Sequence, residues 1–388
     1  MYEIKTYNKI SPVGLSLLDA EKYTVSDGAQ NPVGAIVRSA ALHEETFAPS
    51  LLAIARAGAG TNNIPIARCS EEGIVVFNTP GANANAVKEL VLAGLFLSSR
   101  KIVSAIEWAK TLKGNGEAVG KMVEKGKSAF AGPEIKGKKL GVIGLGAIGA
   151  LVANAANDLH MEVIGYDNYL TIDSAWRLSR KIEKAASLDE IFEKCDYITV
   201  HVPSTPETRG MFNAANIAKM KDGVRILNFS RADLAVADDI KAGLASGKIA
   251  SYVTDFPTEE TVNVPGIVAI PHLGASTEES EDNCAVMAAK ELIDFLETGN
   301  IRNSVNYPDV SLPHTGDARI CIFHKNIPGV LNNITAIISS QGINVENMIN
   351  KSKKDFAYTI LEIGGNIPDN AAETIASMES VIRVNIIK

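Results

Sequence analysis

Lys138-Lys-Leu-Gly-Val-Ile-Gly-Leu-Gly-Ala-Ile-Gly149 runs on through a small-residue helical pattern from Ala150 to Leu159 and closes on Glu162-Val-Ile-Gly-Tyr-Asp167. Leu140 to Ile143 is a short apolar run of the kind a fully buried parallel strand needs, and glycines follow it at once. Strand, tight turn and helix are therefore expected in that order. Gly144 permits the turn, Gly146 lets main chain approach a pyrophosphate, and Gly149 lets the helix pack close on the strand. The N-terminus of that helix then offers free N–H groups and a positive dipole end to the anion. A G-x-G-x-x-G alone is common in glycine turns. Here a second apolar strand, Val163 to Gly165, ends at Asp167, roughly twenty residues downstream, where an acid accepts the ribose hydroxyls. Asp167 is an anion, and Asn168 and Tyr169 bring no arginine to hold a 2′-phosphate, so the expected cofactor is NAD rather than NADP.

Working outward, the same alternation of short apolar runs and helical patterns fills most of the chain. Upstream, Ala35 to Val37 stops at Arg38 and Ser39, Leu51 to Arg56 is followed by Ala57-Gly-Ala-Gly-Thr-Asn-Asn63, and Ile74 to Phe77 gives way to Asn78-Thr-Pro-Gly-Ala-Asn-Ala-Asn85. That turn-rich loop leads into a helical pattern from Ala86 to Leu112, which crosses from a first domain into the nucleotide-binding one. Lys113 to Gly137, rich in glycine and lysine, reads as an exposed excursion against another subunit or over a cleft. Downstream, Tyr197 to Val202 carries His201-Val-Pro203, Val224 to Phe229 ends in Ser230-Arg231, Ser251 to Thr254 ends at Asp255, and Val268 to Ile270 leads into Pro271-His272-Leu-Gly274. Polar residues thus recur at the C-terminal ends of strands, the edge where ligands lie in open parallel sheets. A long helix from Ser276 to Gly299 makes the second crossing.

At 388 residues, with 46% hydrophobic and 21% charged residues, the chain is long enough for two or three domains with ordinary globular cores. A net charge of −7 argues against general nucleic-acid affinity and leaves room for a locally basic pocket. Cys69, Cys195, Cys284 and Cys321 lie far apart with no paired spacing, which indicates neither a metal site nor a disulfide framework and suits a reducing compartment. The N-terminal stretch Met1-Tyr-Glu-Ile-Lys-Thr-Tyr7 has no signal-peptide core and no apolar run reaches spanning length, so a cytoplasmic protein with no membrane partner is expected.

Oxidising an alcohol by hydride transfer needs a base for the hydroxyl proton and a cation for the carboxylate and the polarised oxygen. Arg231 and His272 stand at strand ends suited to those tasks, and Glu259 or Glu260 offers a carboxylate to fix the histidine ring. Each alone has a bland reading: a solvated arginine, a structural histidine, a surface Glu-Glu loop.

Together these segments resemble the D-isomer-specific 2-hydroxyacid dehydrogenase family over nearly the whole chain. The resemblance rests on Val37-Arg-Ser39, Asn78-Thr-Pro-Gly-Ala-Asn83, the glycine fingerprint, His201-Val-Pro203, Asn228-Phe-Ser-Arg231, Asp255-Phe-Pro-Thr-Glu259 and Pro271-His-Leu-Gly-Ala-Ser-Thr277. It is strongest to the branch that oxidises a phosphorylated 2-hydroxy acid with NAD at the start of serine biosynthesis. The resemblance implies Arg231 as the substrate-binding arginine, His272 as acid/base, and Glu260 or Glu259 as its partner. It implies NAD contacts at Ala147, Ile148, Asp167, His201, Pro203, Phe229, Ser230, Asp255 and Gly274. Arg38, Ser39 and Asn83 match substrate contacts, with Lys125 and Lys127 reaching the phosphate from a neighbouring subunit of a homodimer or homotetramer. Two departures stand out. Asp233 places an extra anion near Arg231, and Ala40 or Ala41 stands where a second arginine often follows Arg-Ser, so phosphate recognition must lean on other cations. Dehydrogenation of another D-2-hydroxy acid, and a nucleotide-sensing regulator without turnover, remain as alternatives.

Beyond a polar linker from Asn300 to Asp317, strand-like Arg319 to His324, an amphipathic helix from Gly329 to Gln341, and strands at Asp355 to Ile363 and Val381 to Ile387 flanking a helix near Asn370 to Met378 resemble the ACT regulatory domain. Asn326-Ile-Pro-Gly-Val-Leu331 and Gly342-Ile-Asn-Val345 carry that resemblance. It implies sheets paired between subunits and L-serine held by Asn326 and Asn344; a dimerisation module without ligand is the alternative. The expected fold is α/β, with two Rossmann-like or flavodoxin-like α/β domains, a discontinuous substrate domain (1–85 and 280–305) and an NAD-binding domain (86–279). A C-terminal ferredoxin-like α+β ACT domain (317–388) completes it.

Overall fold

All four residues of Gly34-Ala-Ile-Val37 are buried, as are the first three of Ala53-Ile-Ala-Arg56. Runs apolar on both faces belong inside a parallel sheet. Five parallel strands, β1 (Tyr2–Tyr7), β2 (Tyr23–Ser26), β3 (Gly34–Val37), β4 (Ala53–Arg56) and β5 (Val75–Asn78), lie in the order β2-β1-β3-β4-β5. This is the flavodoxin-like order, whose winding reverses between β1 and β3, so a ligand crevice forms where those two strands end.

A second parallel sheet holds β6 (Lys139–Ile143), β7 (Glu162–Tyr166), β8 (Glu183–Lys184), β9 (Tyr197–Val200), β10 (Val224–Asn228), β11 (Ile249–Thr254) and β12 (Ile267–Ala269). Its order is β12-β11-β10-β9-β6-β7-β8, with the reversal between β6 and β9. The structure is a computed structural model that describes residues 1–365 and 369–387. It divides into two compact units, Met1–Asn83 with Glu278–Lys388, and Ala84–Thr277. The single helix expected from Ala86 to Leu112 is two, Ala84–Ser99 and Ile102–Lys110. Ser98 and Ser99 both donate their hydroxyls back to the Leu95 carbonyl, at 2.9 and 2.7 Å, and this competition with the main-chain ladder marks the break.

The C-terminal sheet is antiparallel: β13 (Ala318–Lys325), β14 (Val345–Lys353), β15 (Phe356–Ile363) and β16 (Val381–Ile387) in the order β14-β15-β13-β16. Helices Val330–Ser340 and Asp369–Ala376 complete a ferredoxin-like α+β arrangement. Seven of the eight residues of β13 are buried, so both of its faces are covered. Ile320 and Ile322 pack with Val330, Ile334 and Ile338. Cys321 and Phe323, alternating to the other face, join Tyr358 and Ile360 in one core with Phe77, Phe295 and Tyr307.

The tail therefore shares a core with the β1–β5 sheet, and the segment read as a polar linker is part of that core. Tyr307 is fully buried and donates to the Ser70 carbonyl at 2.6 Å. Asn306 accepts from the Val76 N–H at 2.9 Å and donates to the Ile74 carbonyl at 2.8 Å, satisfying the free edge of β5. At the same junction Arg319 and Glu362, both fully buried, form an ion pair. Arg319 also donates to the carbonyls of Thr298 and Leu312, and Glu362 accepts from the Gly316 N–H at 2.8 Å.

Candidate active site

The glycine loop is shaped by contacts no side chain would survive. A Cβ on Gly144, whose φ is +88°, would fall 2.5 Å from the His201 carbonyl oxygen, and one on Gly149 would fall 1.8 Å from the Gly144 carbonyl oxygen. A Cβ on Gly146 would meet nothing within 4 Å, so that face is open to an incoming group. The helix Ala147–Asp158 starts there with no side chain capping it, which leaves the N–H groups of its first turn, Ala147 and Ile148 included, for an anion. At the end of β7, Asp167 accepts the Leu145 and Tyr169 N–H groups, each at 2.7 Å. The carboxylate ties the loop to β7 and keeps lone pairs for ribose hydroxyls.

Across the reversal point, His201 Nε2 lies 3.0 Å from Thr199 Oγ1 while Nδ1 is buried without a partner. Burial pushes the imidazole down to about 3, so the ring is neutral at physiological pH. Asp255, which follows β11, is 1% exposed and its Oδ1 also lacks a partner. These unsatisfied atoms and the open glycine face fit a dinucleotide. Pro203 is exposed in the loop after β9, and Ser230 donates its hydroxyl to the Val200 carbonyl at 2.8 Å. The Phe229 ring is a different matter: it is buried beneath Gly94, so only its main chain is available to a cofactor. Replacing Asp167 by serine together with Asn168→Arg is expected to lower kcat/KM with NAD and raise it with NADP, because the carboxylate no longer repels a 2′-phosphate. Steady-state rates on both cofactors check this; a native protein that already uses them equally contradicts it.

Arg231 is exposed and its Nη1 donates to the Ser230 carbonyl at 2.6 Å, while Asn228 holds its main chain at both ends, Oδ1 to N–H at 3.3 Å and Nδ2 to the carbonyl at 2.8 Å. His272 is exposed too, with its ring 4.7 Å from that of Phe256. Asp255 sits within electrostatic reach of both and accepts the Gly274 N–H; burial pushes its carboxyl up against the pull of His272 and Arg231. The structure thus brings Arg231, Asp255, His272 and Gly274 together. It leaves Glu259 and Glu260 on an exposed turn, and among the described residues neither is hydrogen-bonded to His272. The Glu260 carboxylate accepts from its own N–H and from the Thr258 hydroxyl, which hold it below the usual carboxylate range. The extra anion at Asp233 is neutralised locally, by the Ser204 hydroxyl at 2.6 Å and Arg209 Nε at 3.1 Å.

In the other unit, Arg38 and Ser39 follow β3. Asn8, with φ +68°, accepts the Ser39 and Ala40 N–H groups at 3.1 and 2.6 Å and so fixes that loop from the end of β1. Arg38 Nη2 is paired with Glu281 Oε1 at 2.7 Å, and Asn83 lies half-buried just before the helix Ala84–Ser99. Sequence reasoning missed Arg56. It ends β4 in register with Val37, so Arg38 and Arg56 leave neighbouring strands side by side. Its Nε is buried without a partner, and a Cβ on Gly58 would fall 1.7 Å from its Nη1. An arginine closing an apolar strand before Ala57-Gly-Ala-Gly60 was the available signal. Lys125 and Lys127 are exposed on the 113–137 excursion, with Lys127 paired to Glu124. In the C-terminal domain the Asn326 amide donates to the Lys354 carbonyl at 2.9 Å, and Asn344 is exposed.

Residues 94–274 match the family described as D-isomer specific 2-hydroxyacid dehydrogenase, NAD binding domain. The chain is 30% identical over 357 residues to a D-3-phosphoglycerate dehydrogenase of Haemophilus influenzae, a match that spans 88% of this chain and 82% of that one. It is 31% identical over 328 residues to D-3-phosphoglycerate dehydrogenase 1 of Saccharomyces cerevisiae, spanning 78% and 66% respectively. Among solved structures it is similar to NAD+-bound 3-phosphoglycerate dehydrogenase of Entamoeba histolytica, with a TM-score of 0.61 and 26% identity over 79% of this chain and 98% of that one.

Proposed function

Since this chain belongs to the D-isomer specific 2-hydroxyacid dehydrogenases, we propose that it oxidises D-3-phosphoglycerate to 3-phosphohydroxypyruvate, the first step of phosphorylated L-serine biosynthesis. NAD is the cofactor, held by the Gly144–Gly149 loop and Asp167, and when bound it accepts the hydride. Arg231 holds the substrate carboxylate and polarised oxygen, and His272 takes the hydroxyl proton. Arg38, Arg56, Ser39 and Asn83 receive the rest of the substrate, with Lys125 and Lys127 of a neighbouring subunit adding charge in a cytoplasmic homodimer or homotetramer.

The observation that carries the phosphorylated substrate is the side-by-side exit of Arg38 and Arg56 from β3 and β4. Arg38 already has a carboxylate partner in Glu281, whereas Arg56 has an unused, buried donor that a phosphate oxygen satisfies. Arg56→Gln is expected to raise KM for D-3-phosphoglycerate by roughly tenfold or more, the loss of a charge-assisted hydrogen bond, and to leave rates on unphosphorylated D-2-hydroxy acids nearly unchanged. Equal loss on both kinds of substrate removes Arg56 from phosphate recognition.

The same reading makes L-serine an effector held between paired ACT-type C-terminal domains by Asn326 and Asn344, whose amides offer both donors and acceptors to a zwitterion. Calorimetric titration with serine is expected to show, in the native protein, a binding event at these paired domains that Asn344→Ala lacks. No heat at millimolar serine leaves the domain as a structural module.

A further inference from the structure

Glu291, on the helix Glu278–Thr298, is 8% exposed and takes no part in the dehydrogenase chemistry. Its Oε1 accepts the Asn303 amide at 2.7 Å, while Oε2 has no partner. A half-satisfied buried acid is costly and calls for a reason. Burial, reinforced by Asp309, pushes the carboxyl up to about 8, so it carries a proton near neutral pH. Asn303 itself is held at φ +57°, a left-handed conformation away from the usual glycine.

Glu291 lines a cavity of about 620 Å³. Lys290 and Arg302 line it too, and both are exposed. Lys290 has no ion-pair partner among the described residues, and the contact of Arg302 with Asp294 is long, at 3.8 Å. The remaining wall includes Gly81 and Ala82, just before the chain passes into the second unit at Ala84. A buried acid and two under-used cations in one cavity do not suit a simple amine, which leaves the cations unanswered, nor a simple anion, which gains nothing from Glu291. A zwitterion answers both.

We propose that this cavity binds a free α-amino acid, with the ligand ammonium on Glu291 and its carboxylate on Lys290 and Arg302. The site is separate from Asn326 and Asn344. On binding, the Glu291 carboxyl gives its proton to solvent and becomes the counter-ion of the ammonium, which keeps its own protons. Binding near neutral pH therefore releases close to one proton per ligand; the other acids beside Glu291 are Asp294, which also lines the cavity, and Asp309.

The test is calorimetry on the full chain at pH 7, with glycine and L-serine as probes, in two buffers of different ionisation enthalpy. The native protein is expected to bind a probe saturably, with a heat that depends on the buffer. Glu291→Gln retains a group that can accept the Asn303 hydrogen bond; it is expected to bind at least about tenfold more weakly and to release no proton. Should that variant melt early, Lys290→Ala with Arg302→Ala, both exposed, is expected to weaken binding comparably while leaving the fold intact. Asn344→Ala should leave this binding event unchanged. The proposal is overturned if neither probe binds, if Glu291→Gln binds with native affinity, or if Asn344→Ala alone abolishes all amino-acid binding.

Discussion

Replacing His272 by alanine is expected to lower kcat by about a hundredfold to ten-thousandfold, the usual contribution of a positioned acid–base group, while NAD affinity stays close to native. The two effects separate because the groups are separate. The Gly144–Gly149 loop and Asp167 are anchored by main-chain contacts and by β7, none of which involves His272. The histidine stands on the loop after β12, where the Gly274 N–H is tied to the buried Asp255 carboxylate and the ring rests against Phe256. Alanine at this exposed position removes the ring without opening a cavity in the core. Full activity in the variant takes His272 out of the mechanism. The carboxylate partner is decided by comparing Glu259→Gln with Glu260→Gln. The one that closes on His272 during turnover costs far more in kcat, and we expect Glu260, whose present hydrogen bond to Thr258 is solvent-exposed and easily exchanged. Equal, small effects mean that neither serves.

Arg319→Ala is expected to destabilise the protein by about 3–5 kcal/mol, because it leaves the Glu362 carboxylate buried with no cation. Both side chains are fully buried, and Arg319 reaches beyond the pair to the carbonyls of Thr298 and Leu312. Those carbonyls belong to the helix end and to the connecting segment, so the ion pair joins the C-terminal sheet to the body of its unit. The melting temperature of that unit should fall by roughly 6 °C or more. A paired replacement, Arg319→Met with Glu362→Leu, should recover much of the loss, since apolar residues in place of a buried pair are often near neutral. A single variant that melts like the native protein means that the C-terminal sheet is not held to the rest of its unit at this junction.

What was readable in the chain follows from how local each constraint is. Gly149 and Asp167 are tied within one strand–turn–helix–strand stretch, to the Gly144 carbonyl and the Leu145 N–H, so spacing alone made that turn readable, whereas the contact of Gly144 with the His201 carbonyl lies outside it. The placement of Arg38, Arg231 and His272 after the C-terminal ends of strands was readable because each follows an apolar run, and in a parallel sheet such ends share one edge. Arg56 met the same criterion and was overlooked among the small residues that follow it. The packing of the C-terminal sheet was not readable as a domain boundary, because it depends on which distant surface covers Cys321 and Phe323. Ile320-Cys-Ile-Phe323 has no polar alternation, however, and a strand without a polar face is one with both faces covered. Asn306 and Tyr307 misled for a related reason: residues that read as loop supply hydrogen bonds to the core, Asn306 at the edge of β5 and Tyr307 to the Ser70 carbonyl. The geometry of Glu259 and Glu260 was beyond reach, since it is a matter of side-chain orientation in an exposed turn.

The central claim is tested most directly by measuring NADH formation from NAD with D-3-phosphoglycerate, D-glycerate, D-lactate and D-2-hydroxyglutarate side by side. The account predicts the highest kcat/KM for D-3-phosphoglycerate, by at least about tenfold over the unphosphorylated acids, as a phosphate bound through charge-assisted hydrogen bonds requires. A higher kcat/KM on any of the unphosphorylated acids, or no turnover of D-3-phosphoglycerate at all, contradicts it.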